Sequence, residues 1–316
     1  MRSLIRADWY RIRRRWDVRI IVLGIPALAI LAYLEGALSA GNFSVQTFGD
    51  VPPEFHAQQA AQDAAMRAFY AMPYQFPRSI VTVLEGATFW LAIGSAFLAA
   101  SLLGHEFAWG TIRNVVLIRP DRSGFLAVRL IWIGGLVLGV LAALVALGAL
   151  LPAVVHVDPG DPNALANLDP NAGWVPWGTV GQVSLGGALL VAATSVVTAA
   201  AAVALAGLCA LKFRSAMTGM LGAGIYVVAE GIVVAMMMSR VGGDLRYIPQ
   251  LSLTTRLTTL VADAQQAAGL TSIGGAPTSP GWVSLPPPVG AAIVAVWLAG
   301  LFALWFVVLR RADIYE

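Results

Sequence analysis

The chain has 316 residues, 58% of them hydrophobic and only 12% charged, with a mean hydropathy of +0.76. A soluble domain carries roughly 25% charged residues. This composition therefore excludes a soluble two-domain enzyme, a disordered chain and a disulfide-stapled secreted module, and it assigns most of the surface to lipid. Twenty basic residues, all Arg except Lys212, exceed 17 acidic ones by three. A basic balance on a soluble protein would raise nucleic acid as a partner; here the placement of the arginines decides, and no nucleic-acid role is read. The single Cys209 excludes an intrachain disulfide, and three scattered His give no metal-ligand cluster.

In chain order, residues 2–17 carry Ile5, Trp9, Ile12 and Trp16 at spacings of four, three and four, one stripe on a helix otherwise filled with Arg. Such a helix lies in the interface, with indoles at headgroup level and guanidinium groups, including Arg13 and Arg14, on anionic lipid. It serves as an anchor or as a lever moving with the first span. Six apolar stretches follow, at about 18–38, 80–104, 125–155, 180–211, 216–239 and 289–309. Each is long enough for a bilayer core, which takes about 20 helical residues. The third and fourth exceed that length and are expected to tilt or protrude. Pro26 is expected to kink the first span. Pro152 and Pro286–Pro288 fall at span boundaries and read as helix ends. Small residues at Ala37–Ala40 resemble a signal-peptide cleavage site, but the apolar run exceeds the usual length, roughly 7–15 residues, so the segment is read as a retained span.

Between the spans, 41–79 holds a helix over Val51–Tyr70 begun by Pro52–Pro53, with aromatic residues to pack a small cap. Segment 156–178 is an Asp/Asn/Pro/Gly loop ending at the interfacial anchors Trp174 and Trp177. Segment 240–288 holds a helix near 249–268 followed by a Gly/Pro/Ser stretch. Summed by segment, one side of the membrane carries +8 and the other −3, with −2 inside the spans. The positive-inside rule then places both termini in the cytoplasm. The fold class is thus an all-α membrane protein: an interfacial helix over 1–17 and a six-span permease domain over 18–316. Its extracytoplasmic segments are about 39–79, 156–178 and 240–288.

Four ionisable residues fall inside spans: Glu35, Glu85, Glu230 and Arg129. A central carboxylate costs roughly 2.5–3.5 kcal/mol on insertion scales, so Glu230 must face protein or water, or be protonated. It reads either as a translocation-path group favouring cationic or hydrogen-bonding cargo or as an interhelical hydrogen bond from a neutral acid. Glu85, about a turn and a half inside the second span, and Glu35, at the end of the first, read either as path groups or as side chains that simply reach water. Thr194 and Thr198 on the fourth span, and Gly135-x-x-x-Gly139 on the third, read as packing, with a polar path along the two threonines as the sharper alternative.

The segment at about 104–124 contains Glu106, Gly110, Thr111, Arg113, Pro120 and Arg122, followed by Arg129 in the next span. Read alone, it is a short loop whose bases enforce topology. The order Glu, then Gly-Thr-x-Arg, then Pro-x-x-Arg, then a basic residue resembles the ABC-2 family of ABC-exporter membrane subunits. That family more often has Lys where this chain has Arg129. The basic amphipathic start, the six spans and the Arg310-Arg311-Ala-Asp313 ending extend the resemblance. It implies a permease subunit in a bacterial or archaeal plasma (inner) membrane, paired with a second copy or a paralogue. It also implies a coupling helix at 104–124 docked on a separate P-loop ATPase that binds ATP and Mg. No cofactor is expected in this chain, because a P-loop needs Gly-Lys-Ser/Thr and Lys212 precedes Phe213. The alternatives are an ion-coupled carrier using Glu230 and Glu85, or a membrane anchor or sensor. An enzyme is disfavoured: no Ser/His pair, His-Glu-x-x-His or paired-Asp motif is read in or beside a span. The cargo is not readable; the sparse polar inventory leans towards an amphipathic or lipid-like molecule.

Overall fold

A computed structural model of the chain describes residues 9–41, 56–108, 122–158, 183–240, 250–268 and 285–311. All regular structure among them is helical. Six helices are long and apolar enough to cross a membrane: α1 (Trp16–Gly41), α3 (Arg78–Ala108), α4 (Arg122–Val154), α5 (Leu185–Phe213), α6 (Ala216–Arg240) and α8 (Pro287–Arg311). Two shorter helices, α2 (His56–Ala71) and α7 (Leu253–Ala267), lie between spans. The chain is a multi-pass membrane protein.

Successive spans run antiparallel, so the bundle has two ends. At the near end, Arg15 just ahead of α1 meets Ser101 in the closing turns of α3, and Gly104 of α3 abuts the first residue of α6, Ala216. At the far end, Tyr33 of α1 donates to the carbonyl of Tyr74, which precedes α3, and Ser79 donates to the carbonyl of Gly148 in α4.

The helices differ sharply in burial. Over half of the apolar window of α3 and of α5 is buried (56% each), against 6% for α6. Helices in lipid gain nothing from hydrophobic contact with one another and associate through close packing, which favours small residues. Ala99 and Ala100 on α3, and Ala188, Ala199, Ala204 and Ala206 on α5, are accordingly shut off from the surface. Thr88 and Ser195 share a hydrogen bond of 2.8 Å across this central pair. On the other flank of α5, Trp305 of α8 is fully buried against Gly207 and donates its indole N–H to the Ala204 carbonyl at 2.8 Å.

The six expected spans correspond to these helices, with one boundary moved. The fourth starts at Leu185, not near 180, because Ser184 is extended and its hydroxyl accepts from Gly187 N, closing the helix start. Pro286–Pro288 mark a helix end as expected, whereas Pro152 falls just inside one. Pro152 lies inside the last turn of α4, Pro287 opens α8, and α1 is continuous through Pro26. Proline at a first helical position forfeits no hydrogen bond. The helix expected over 51–70 runs from His56 to Ala71; Val51–Phe55 lie outside the described residues. The helix expected near 249–268 is α7, capped by Ser252, whose side chain accepts from Thr255 N. Trp174, Trp177 and the Gly/Pro/Ser stretch after 268 also lie outside the described residues.

Glycine positions give a direct test of this packing. A Cβ on Gly207 would run into the Trp305 ring, and one on Gly148 would sit 2.5 Å from Ile80 Cα, whereas one on Gly134 meets nothing within 4 Å. Gly207→Ala and Gly148→Ala should each destabilise the detergent-solubilised protein by about 1–3 kcal/mol. Gly134→Ala should be neutral or slightly stabilising, as helix propensity favours Ala. Thermal unfolding of the three variants checks the ranking.

Candidate functional site

At the near end, residues 9–14 are helical, the helix breaks at Arg15, and α1 begins at Trp16. The expected single stripe is therefore divided. Trp9 stacks on Trp132 of α4 with ring centroids 4.9 Å apart, and Ile12 is buried to 1% exposure. Trp16 is 74% exposed, with the Arg19 guanidinium over its ring. Trp9 and Ile12 pack on the bundle and Trp16 points away from it; Ile5 lies outside the described residues. Arg13 and Arg14 are exposed, and the Arg13 carbonyl accepts from Arg19 Nε at 3.0 Å.

The break at Arg15 places its guanidinium in a polar cluster. Arg15 donates from Nε and Nη2 to the two carboxylate oxygens of Asp17, at 3.0 and 2.7 Å. Nη2 also reaches Ser101 Oγ at 2.5 Å and lies 2.9 Å from His105 Nδ1. Ser101 in turn donates to Asp17. Four side chains from two regions of sequence, 15–17 and 101–105, thus close one network. Bidentate Arg–carboxylate pairing is the strong, orienting form of ion pair.

Ser101 and His105 are one helical turn apart, so a Ser/His pair does exist beside a span, contrary to the sequence reading. Its geometry is not that of a nucleophile and base. Oγ and Nδ1 are 3.4 Å apart, and the hydroxyl hydrogen is directed to Asp17 instead.

This network sits at the threshold of the motif segment. Glu106 lies in the last turn of α3 and Arg122 opens α4; their side chains, and all of Gly110, Thr111, Arg113 and Pro120, lie outside the described residues. Arg129, three residues ahead of the Trp9–Trp132 stack, is 2% exposed and lies over the Phe125 ring at 5.4 Å. The helix-end cluster was missed in the sequence because Arg15 reads there as one more base in a basic run.

At the far end, α7 is held below the helix ends. Glu230 of α6 accepts from the backbone N–H groups of Leu253 and Thr254 at 2.7 and 3.2 Å. Near the other end of α7, Gln265 donates to Glu85 of α3 at 2.7 Å. At a rise of 1.5 Å per residue, Glu230 is about 15 Å inside the end of α6 at Arg240, and Glu85 about 10 Å inside the start of α3. A carboxylate at a helix N-terminus satisfies orphan N–H groups and faces the positive end of the helix dipole. This is an interhelical hydrogen bond of Glu230, made to backbone, and it gives the carboxylate a structural task.

Arg256 of α7 donates from Nε and Nη2 to the backbone and side-chain oxygens of Gln250. Burial pushes the Asp263 carboxyl up, and the Arg256 charge pulls it back only in part. Thr194 donates to the Val191 carbonyl at 2.8 Å and Thr198 to the Thr194 carbonyl at 2.9 Å, both within α5. The arrangement brings Glu230 and Glu85 onto one helix, α7, and leaves the two threonines bonded to their own helix. Among the described residues no group of His, Cys, Asp and Glu is placed to hold a metal.

No protein-family model, curated protein or solved structure matches the chain.

Glu230→Ala removes the acceptor for the first amides of α7. Hydrogen exchange at Leu253 and Thr254 should accelerate about fivefold, the equivalent of about 1 kcal/mol, with α3 and α5 unchanged. Unaltered exchange at those two amides would show that the carboxylate does not hold the helix.

Proposed function

We propose that the chain is the membrane permease subunit of an ATP-driven exporter of the ABC-2 type, with segment 104–124 as the coupling element. The observation that carries this reading is the Arg15–Asp17–Ser101–His105 network at the end of α3. A driven permease needs a stiff path from the point of force to the spans. The motif residues Glu106 to Arg122 follow directly from the last turn of α3, the most buried span together with α5. Force applied there is carried into α3 and, through Arg15 and Asp17, into α1.

In this reading the near end is cytoplasmic, and it carries the positive side of the charge asymmetry. The subunit sits in a bacterial or archaeal plasma (inner) membrane, paired with a second copy or a paralogue. ATP and Mg belong to a separate P-loop ATPase. Glu106 and Arg113 make charge-assisted hydrogen bonds in a cleft of that partner. An ion-coupled carrier would need Glu230 and Glu85 to exchange protons with water; both are engaged with α7, which favours a clamp over a proton relay.

Expressed with its ATPase, the chain should co-purify with it. Glu106→Ala and Arg113→Ala should each leave the protein folded but lower transport per ATP hydrolysed by about tenfold, the scale of one lost charge-assisted hydrogen bond. Reconstituted vesicles assayed for both rates check this, and full transport by both variants would remove the coupling role.

A further inference from the structure

The network that ties α1 to α3 contains one group whose charge changes near neutral pH. Imidazole titrates between about pH 5 and 8, whereas a guanidinium stays charged throughout. Arg15 Nη2 lies 2.9 Å from His105 Nδ1. A guanidinium has N–H donors and no acceptor, so Nδ1 must be the accepting atom of this contact. The His105 ring is then neutral, with its proton on Nε2. A proton added at Nδ1 sets two donors and two positive charges against each other across the same distance.

The surroundings give an imidazolium little relief. Asp17 already accepts from Arg15 Nε and Nη2, from Ser101 and from the backbone N–H of Val18. A carboxylate has about four acceptor sites, so Asp17 must give up a donor before it can take His105. Ser101, one turn back on α3, lies 3.4 Å from Nδ1 and turns its hydrogen to Asp17. The other charged side chains that the described residues bring to this end are cations. Arg11, Arg13, Arg14 and Arg19 flank Arg15, and α4 brings Arg129, held over Phe125. Lys212 closes α5 and Arg214 follows it, in the turn whose Ser215–Ala216 backbone lies against Gly104 of α3. The side chain of Glu106 lies outside the described residues. His105 itself is exposed, so water can deliver the proton.

We propose that His105 makes this network a pH-sensitive latch: the neutral ring holds Arg15 and fixes the first turn of α1 to the end of α3, and protonation at Nδ1 displaces the guanidinium and loosens that turn. The break in the helix supplies the hinge. Residues 9–14 stay on α4 through the Trp9–Trp132 stack, while the start of α1 keeps only the bond from Ser101 to Asp17. The sign is fixed by the geometry: the latch is closed at higher pH and opens as pH falls. It does not rest on the exporter reading. Where that reading holds, acidification on this side of the membrane weakens the path from α3 into α1.

The amides of Arg15 and Arg19 report the latch, because they donate across the break to the carbonyls of Ile12 and Arg15 at 3.1 and 3.3 Å. The test is hydrogen exchange on the full-length detergent-solubilised protein, with rates corrected for the intrinsic pH dependence of exchange. Protection at these two amides should fall about tenfold between about pH 8 and about pH 5.5, the scale of one charge-assisted hydrogen bond, with α5 unchanged. His105→Gln keeps an acceptor for Arg15 but cannot titrate, and its protection should stay high at both pH values. His105→Arg carries a fixed charge and should be unprotected already at the higher pH. His56 and His156, at the other end of the bundle, are retained in every variant. Three results overturn the proposal: wild-type protection equal at the two pH values, a pH response that survives in His105→Gln, or full protection of His105→Arg at the higher pH. The wild-type comparison needs no substitution, so the test stands even if a variant fails to fold.

Discussion

The contact between α3 and α5 is the one on which the other helices depend. In lipid, two apolar helices gain little by leaving hydrocarbon for each other, so association rests on how closely their backbones approach. Both helices carry fully buried alanines, such as 99 on one and 188 and 199 on the other, and the Thr88–Ser195 hydrogen bond joins them. α1 and α4 pack on the α3 side, α8 on the α5 side through Trp305 and Gly207, and α6 on both. The outermost helices keep large aliphatic side chains outward, as on α6 with Met217, Leu221, Ile225 and Val228. A change in the angle between α3 and α5 would reach all four neighbours.

Around that apolar pair, the ionisable groups are placed where another group can meet them. Asp17 is matched by Arg15 and Ser101 at the near end, Glu230 by the amides that open α7, and Glu85 by Gln265. The cost of burying a carboxylate is offset by a helix terminus or a guanidinium in each of the two most demanding cases.

The spans were legible from hydropathy because length and apolarity are local properties, and five of six starts needed no more than a small adjustment. The start of α5 moved because Ser184, one hydroxyl in an otherwise apolar run, closes the helix there. Glu230 was visible as an ionisable residue in a span, but its partner was not. The groups it binds are backbone amides 23 and 24 residues away, and backbone amides carry no sequence signal. Arg15 was hidden for the opposite reason: seven arginines in the first 19 residues look alike until one of them turns inward. The Ser101–His105 pair could have been found from its i, i+4 spacing on a helix.

What the sequence determined by itself is the solvent: six stretches too apolar for water, with the arginines distributed asymmetrically between them. It also held the motif at 104–124 on which the functional reading rests. Only the tertiary structure decided which span lies at the centre, which arginine joins α1 to α3, and which polar groups are left without partners. Those depend on contacts between residues 86, 107 or 180 positions apart, where close approach in space, not neighbourhood in the chain, sets the energy.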